Sequence, residues 1–148
     1  MTLAEVSVSS GDEADAAQLE AQLRSSLRST LPQSDNARVV LLARDATQQL
    51  VGGLDGSTSY GWLLVKVLWV HDAYRNRGLG RRLMAEAEAR AIEHACHSAW
   101  LDTSSPDAMR FYQRLGFEAF GELSNTAGQV PPTHRRWFMK KALALPSR

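Results

Sequence analysis

The 148-residue chain predicts an α/β protein of the α+β kind, a mixed and mostly antiparallel sheet of about seven strands flanked by helices. Three observations predict it. Apolar, β-branched runs over residues 39–43, 50–54 and 62–70 are joined only by short polar turns, the mark of an antiparallel meander. Leu79, Leu83, Ala87 and Ala91 then recur every four residues, as on one face of a helix. A further apolar run over 99–103 follows, and a strand reached through a helix lies parallel to the strand before it.

Taken in order, residues 3–8 alternate apolar and polar and predict a short first strand. Ser10 with Glu13 forms a capping-box pattern, and Ala16, Leu19, Leu23 and Leu27 give the following helix one apolar face. Leu31-Pro32 stops it, and 33–37 is polar linker. Strands are predicted over 38–44, over 50–54 with its flanks, and over 62–70. Gly52 and Gly53 in the second of these point to a bulge or a close backbone contact. A long helix spans 79–93 and a strand 99–103. Ser105 before Pro106 caps a short helix over 108–115, which Gly116 ends. Strands over 117–123 and 134–143 complete the sheet, separated by a loop containing Gly128 and Pro131-Pro132. One compact domain over 1–148 accommodates the whole string.

Seventeen basic and 16 acidic residues leave a formal net charge of +1, which argues against a general polyanion-binding surface and so against a nucleic-acid partner. Cys96 is the sole cysteine, so there is no internal disulfide and no cysteine-based metal site, and it is read as a small buried hydrophobe. The histidines and scattered acids show no metal-ligand spacing. No basic start leads into an apolar run, and no run approaches the roughly 18 residues of a membrane span, so a soluble, cytoplasmic protein without a membrane partner is expected.

The chemistry concentrates where the run 62–70, broken only by Lys66, gives way to Arg75-Asn76-Arg77-Gly78-Leu79-Gly80 and then to a helix. The first N–H groups of a helix have no intrahelical partner and carry the positive end of its dipole, so such an end binds anions. Gly78 and Gly80 lack side chains and let a phosphate approach the backbone, while Arg75, Arg77, Arg81 and Arg82 add positive field. A pyrophosphate is the natural ligand. The plainer reading of the same residues is a strand-to-helix turn with solvated arginines. A Walker loop is excluded because no Lys-Ser/Thr follows the glycines. A dinucleotide fingerprint is excluded because Leu83 stands where the third glycine of G-x-G-x-x-G is required.

Arg75-x-x-Gly78-x-Gly80 resembles the R/Q-x-x-G-x-G/A signature of the GNAT superfamily of N-acetyltransferases, with Val70 five residues ahead at a strand end. Ala108-x-x-Phe111-Tyr112-x-x-x-Gly116-Phe117 resembles that family's second block, and the likeness covers roughly 39–143. The resemblance implies a parallel pair of central strands that splay apart, with acetyl-CoA as cosubstrate wedged into the opening. It places Leu68, Trp69 and Val70 at the acetyl end and the amides of Arg75, Asn76, Arg77, Gly78, Leu79, Gly80 and Arg81 around the pyrophosphate. Ser105 and Ala108 lie beside the pantetheine arm, with Phe111 and Arg114 at the nucleotide end. Tyr112 is the expected general acid. Asp102 is the expected base or ammonium-binding group, although its link to Tyr112 is about two residues shorter than in many relatives.

His71 and His134 are secondary candidates for the base, since a neutral imidazole accepts a proton near pH 7. Lys66, whose ammonium has no lone pair, is read as a surface or substrate-anion contact, and Trp62, Trp69, Trp100 and Trp137 as a possible acceptor wall or as core. The expected activity is transfer of acetyl to a primary amine of a small molecule or peptide, directly in a ternary complex. A homodimer through the C-terminal strands is compatible with the fold. The rival reading is a non-catalytic acyl-CoA sensor that keeps the same loop and splay.

Overall fold

A computed structural model describes residues 3–144, which fall into two compact units dividing between Gln33 and Ser34. The first contains helix α1 (Glu13–Thr30). Its cap is not the predicted Ser10/Glu13 pair but Asp12 with Asp15: the Asp15 N–H donates to Asp12 Oδ1 at 2.9 Å, and the Asp12 N–H donates to Asp15 Oδ2 at 2.9 Å. A carboxylate accepts from a backbone amide more strongly than a hydroxyl does, which favours the register two residues on. The Asp15 backbone N–H holds the Asp12 carboxyl below its ordinary range. The predicted first strand is not formed. Leu3–Glu5 is a single 3-10 turn and the residues after it are irregular, since an extended segment persists only where a neighbouring strand pairs with it.

The second unit is a six-stranded sheet in the order β1-β2-β3-β4-β6-β5, one strand fewer than expected. Its strands are β1 (Arg38–Arg44), β2 (Leu50–Ser59), β3 (Trp62–Val70), β4 (Ser98–Thr103), β5 (Glu118–Ser124) and β6 (Arg135–Ala142). Helix α2 (Leu79–Glu93) connects β3 to β4 and α3 (Pro106–Arg114) connects β4 to β5. All pairings are antiparallel except β3 with β4. The two hairpins β1-β2 and β2-β3 have turns of a few residues, so they must be antiparallel, while the 15-residue α2 gives the reach a parallel crossover needs.

Both α2 and α3 lie on the face that carries Val39, Leu54, Leu63, Val65, Leu101 and Met139, and with Met84, Ala87 and Tyr112 these form the core. Cys96 is buried in it, as expected, and burial pushes its thiol up. Lys141 on β6 bonds Glu88 on α2 at 2.7 Å, a part-buried tie that fixes helix to sheet. The opposite face carries Val40, Leu42, Val67 and Trp69, all exposed.

Candidate active site

Two features of β3 shape the site. The first is a bulge: Asp55 faces Val67 and Gly56 faces Val65, so Lys66 is the extra residue. Leu63 and Val65 before it, and Leu68 and Val70 after it, all turn to the helix-covered face. Such a bulge bends and twists the strand that carries it. The second is how little β3 pairs with β4. Only Trp62 with Ser98, Leu63 with Ala99 and Leu64 with Trp100 are in register, and from Val65 onward the two strands part. The predicted splay is present.

Strand alternation says which groups line the gap. The His71 N–H donates to Val51 O at 2.8 Å, towards β2, so Trp69 two residues back also turns its backbone to β2. Leu68 and Val70 therefore present theirs to the gap. This corrects the expectation for Trp69, whose backbone belongs to the ladder while its side chain stands on the open face. Arg75 Nε donates to Val70 O at 3.2 Å and its terminal nitrogen meets Asp72 at 3.0 Å, so this arginine clasps the mouth of the gap.

Because β3 and β4 are parallel, Val70 and Thr103 end on the same side of the sheet, and α2 and α3 both begin there. Their convergence is close: a Cβ on Gly80 would lie 3.2 Å from the Phe111 ring and 3.8 Å from Val70. The two glycines of the loop thus serve different ends. Gly78 caps α2 in the left-handed region at φ +83°, with open space around it and no side-chain cap on the amides that follow. At Gly80 the Phe111 ring packs so close that a side chain would crowd it. Asn76 is also left-handed, at φ +62°, and Arg77 lies over the Tyr74 ring at 5.9 Å. Arg81 is exposed on the first turn of α2, and Arg114 is exposed in the last turn of α3.

Ser105 caps α3 by accepting from the Ala108 N–H at 3.2 Å, so its hydroxyl works for the helix. Tyr112 is buried between Phe111 and Phe117, with ring centroids at 5.3 and 5.7 Å. Burial pushes its phenol up to about 12, so it is protonated at neutral pH. Among the described residues no buried side-chain polar atom lacks a partner, so this hydroxyl, which has no protein partner, reaches solvent.

Asp102, on the open face of β4, is held by Arg136, whose Nε and a terminal nitrogen reach the same carboxylate oxygen at 2.9 and 2.5 Å. Sequence reasoning missed Arg136. Its signal was alternation along the last strand, where Arg136, Phe138 and Lys140 share a face. The structure separates the other candidates. Trp62 stands at the zipped end of β3, paired with Ser98 and edge-on to His97 at 5.3 Å, away from the opening. Trp137 is buried in the core beneath Arg135, on β6 opposite Thr103. Lys66 is exposed at the bulge, and His134 lies half-buried just before β6. No group of three or more metal-ligating side chains occurs among the described residues, and no described helix is long and apolar enough to cross a membrane.

A six-stranded mixed sheet parting beside the glycine-containing start of a helix defines an acetyltransferase fold. The chain belongs to the acetyltransferase (GNAT) family, whose model matches residues 9–117. It is 40% identical over 91 residues to the acetyltransferase Atu2258 of Agrobacterium fabrum, covering 62% of this chain and 66% of that one. It is 46% identical over 70 residues to the blasticidin-S acetyltransferase of Streptomyces morookaense, covering 47% and 52%. The match thus spans two thirds of one curated relative and about half of the other. Among solved structures, an Agrobacterium tumefaciens protein provisionally named an acetyltransferase superposes with a TM-score of 0.80 at 29% identity, covering 93% of this chain and 97% of that one. Acetyl-CoA is the cosubstrate of this family.

Proposed function

We propose that this protein moves the acetyl group of acetyl-CoA to a primary amine of a small molecule or peptide, by direct attack within a ternary complex. The observation that carries the reading is the early end of the β3-β4 pairing, which leaves the backbone groups of Leu68 and Val70 facing a gap instead of a neighbouring strand. The Leu68 backbone and the Val70 N–H, which lack a strand partner there, suit the amides of a pantetheine arm, while the Val70 carbonyl is taken by Arg75. The Val70 N–H, at the open end of the gap, is the donor we assign to charge developing on the acetyl oxygen. The uncapped amides from Gly78 onward, with Arg77 and Arg81, suit a pyrophosphate.

Amide formation then needs a neutral amine and a proton for the departing thiolate. Asp102, held on one side by Arg136, receives the ammonium at the open face or relays its proton to water. Tyr112 gives its phenolic proton to the thiolate. A phenol at about 12 is a poorer acid than a free one, yet at neutral pH it always carries the proton that the departing thiolate needs. The name of one relative, the blasticidin-S acetyltransferase, makes blasticidin S a first acceptor to try.

Incubation with acetyl-CoA and a panel of amines that includes blasticidin S, with free thiol followed, tests the reading. Thiol release that depends on the amine supports it, and coenzyme binding without release from any amine supports the sensor instead. Cys96→Ala is expected to leave turnover in place. Its loss in a folded, coenzyme-binding variant would point to a covalent intermediate.

A further inference from the structure

His71 has no part in the scheme above, although it stands at the mouth of the gap. It follows Trp69 by two residues, so its side chain leaves on the same open face, and it is exposed. The other face is closed there by Val70, Gly80 and Phe111, so an acceptor amine approaches from the side of His71. Its backbone is fixed on both sides, the N–H to Val51 O and the C=O receiving the Tyr74 N–H, each at 2.8 Å. The ring stands edge-on to Trp69 at 6.1 Å and to Tyr74 at 6.3 Å.

The decisive contact is the one inside the turn. Nδ1 accepts the backbone N–H of Ala73 at 3.1 Å. A ring nitrogen that accepts from an amide carries no proton, so the neutral imidazole keeps its single proton on Nε2. That nitrogen is then a donor with no lone pair to take a proton from an ammonium. The turn Asp72–Tyr74 thereby fixes the tautomer of a residue whose type alone would suggest a base.

We infer that His71 binds the acceptor as a neutral N–H donor, and that the acceptor carries a carbonyl or hydroxyl oxygen close to its reactive amine. The inference rests on the acetyl-transfer reading for the identity of what is bound. The position of the ring proton does not depend on that reading.

Nitrogen-15 NMR on labelled protein saturated with coenzyme A tests it, with His71→Asn assigning the ring signals. The neutral ring is expected to carry its proton on Nε2. Glycinamide, which offers a carbonyl oxygen beside its amine, is expected to shift that signal more than propylamine, which offers none. A proton on Nδ1, or equal shifts from the two amines, overturns the inference. In kinetics, His71→Asn is expected to raise the KM for glycinamide about 3- to 10-fold, the worth of one hydrogen bond, and to leave the KM for acetyl-CoA unchanged. His71→Gln, which restores an N–H near the position of Nε2, is expected to return it, and an unchanged KM in His71→Asn counts against the inference. Absence of transfer to every amine, with the NMR result as expected, would instead remove the proposed activity while leaving His71 a fixed donor.

Discussion

Arg136 makes both of its bonds to Asp102 on a single carboxylate oxygen, at 2.9 and 2.5 Å, which leaves the other oxygen to whatever enters the open face of the gap. Asp102→Asn keeps the shape and removes the charge, so it is expected to lower kcat/KM for the acceptor about 100-fold and to leave the KM for acetyl-CoA within about twofold. Initial rates with each substrate varied in turn check this. Arg136→Ala should cost less than about 1 kcal/mol of stability, because both partners are partly exposed.

Deleting Lys66 removes the extra residue of the β2-β3 ladder and leaves every inward position inward, since Val65 and Leu68, now an odd step apart across the bulge, would then lie an even step apart. The chain is expected to fold with a straighter β3 that continues its pairing with β4 beyond Leu64. Calorimetric titration with coenzyme A should then show affinity down about tenfold or more, each tenfold being about 1.4 kcal/mol. Unchanged affinity in a folded deletion variant would mean that the bulge does not cause the splay.

The loop glycines are expected to fail differently. Gly78→Ala puts an L side chain in the left-handed region with open space around it, and should cost about 1–2 kcal/mol in urea unfolding through backbone strain alone. Gly80→Ala brings a methyl group to within 3.2 Å of Phe111 and displaces that ring, so coenzyme affinity is expected to fall more than stability does.

Tyr112 makes stability depend on pH on the alkaline side. Its folded phenol ionises near 12 against about 10 in the unfolded chain, so the folded protein keeps a proton that the unfolded chain gives up. The contribution is whole below about pH 10 and drains as pH rises towards 12, by about 2–3 kcal/mol in all. Urea midpoints measured from about pH 9 to about pH 11 should fall in the wild type and fall less in Tyr112→Phe.

Much of this was legible in the residues because local rules decide it. The four-residue recurrence of Leu79, Leu83 and Ala87 set α2 over the same residues in sequence and structure, and the apolar runs set β1 and β3 residue for residue. Short connections forced the antiparallel meander, and the helix between β3 and β4 forced their parallel run. The cap of α1 was misplaced by two residues, because two overlapping patterns competed and only bond strength separates them. The strand expected over 3–8 did not form, because alternation cannot supply the neighbour a strand needs.

Apart from residues 3–8, the chain by itself determined which segments are helix and strand, the order in which they follow one another, and the paired motifs around Gly78 and Tyr112. Only the tertiary structure decided that Lys66 is a bulge, that pairing stops at Leu64 and Trp100, that Gly80 yields to Phe111, that Asp102 is held by Arg136 and that Trp62 stands away from the opening. The physical reason is one of range. Periodicity and capping act between residues a few positions apart, whereas each of these relationships joins atoms from different strands or helices and exists only once the sheet has set its register.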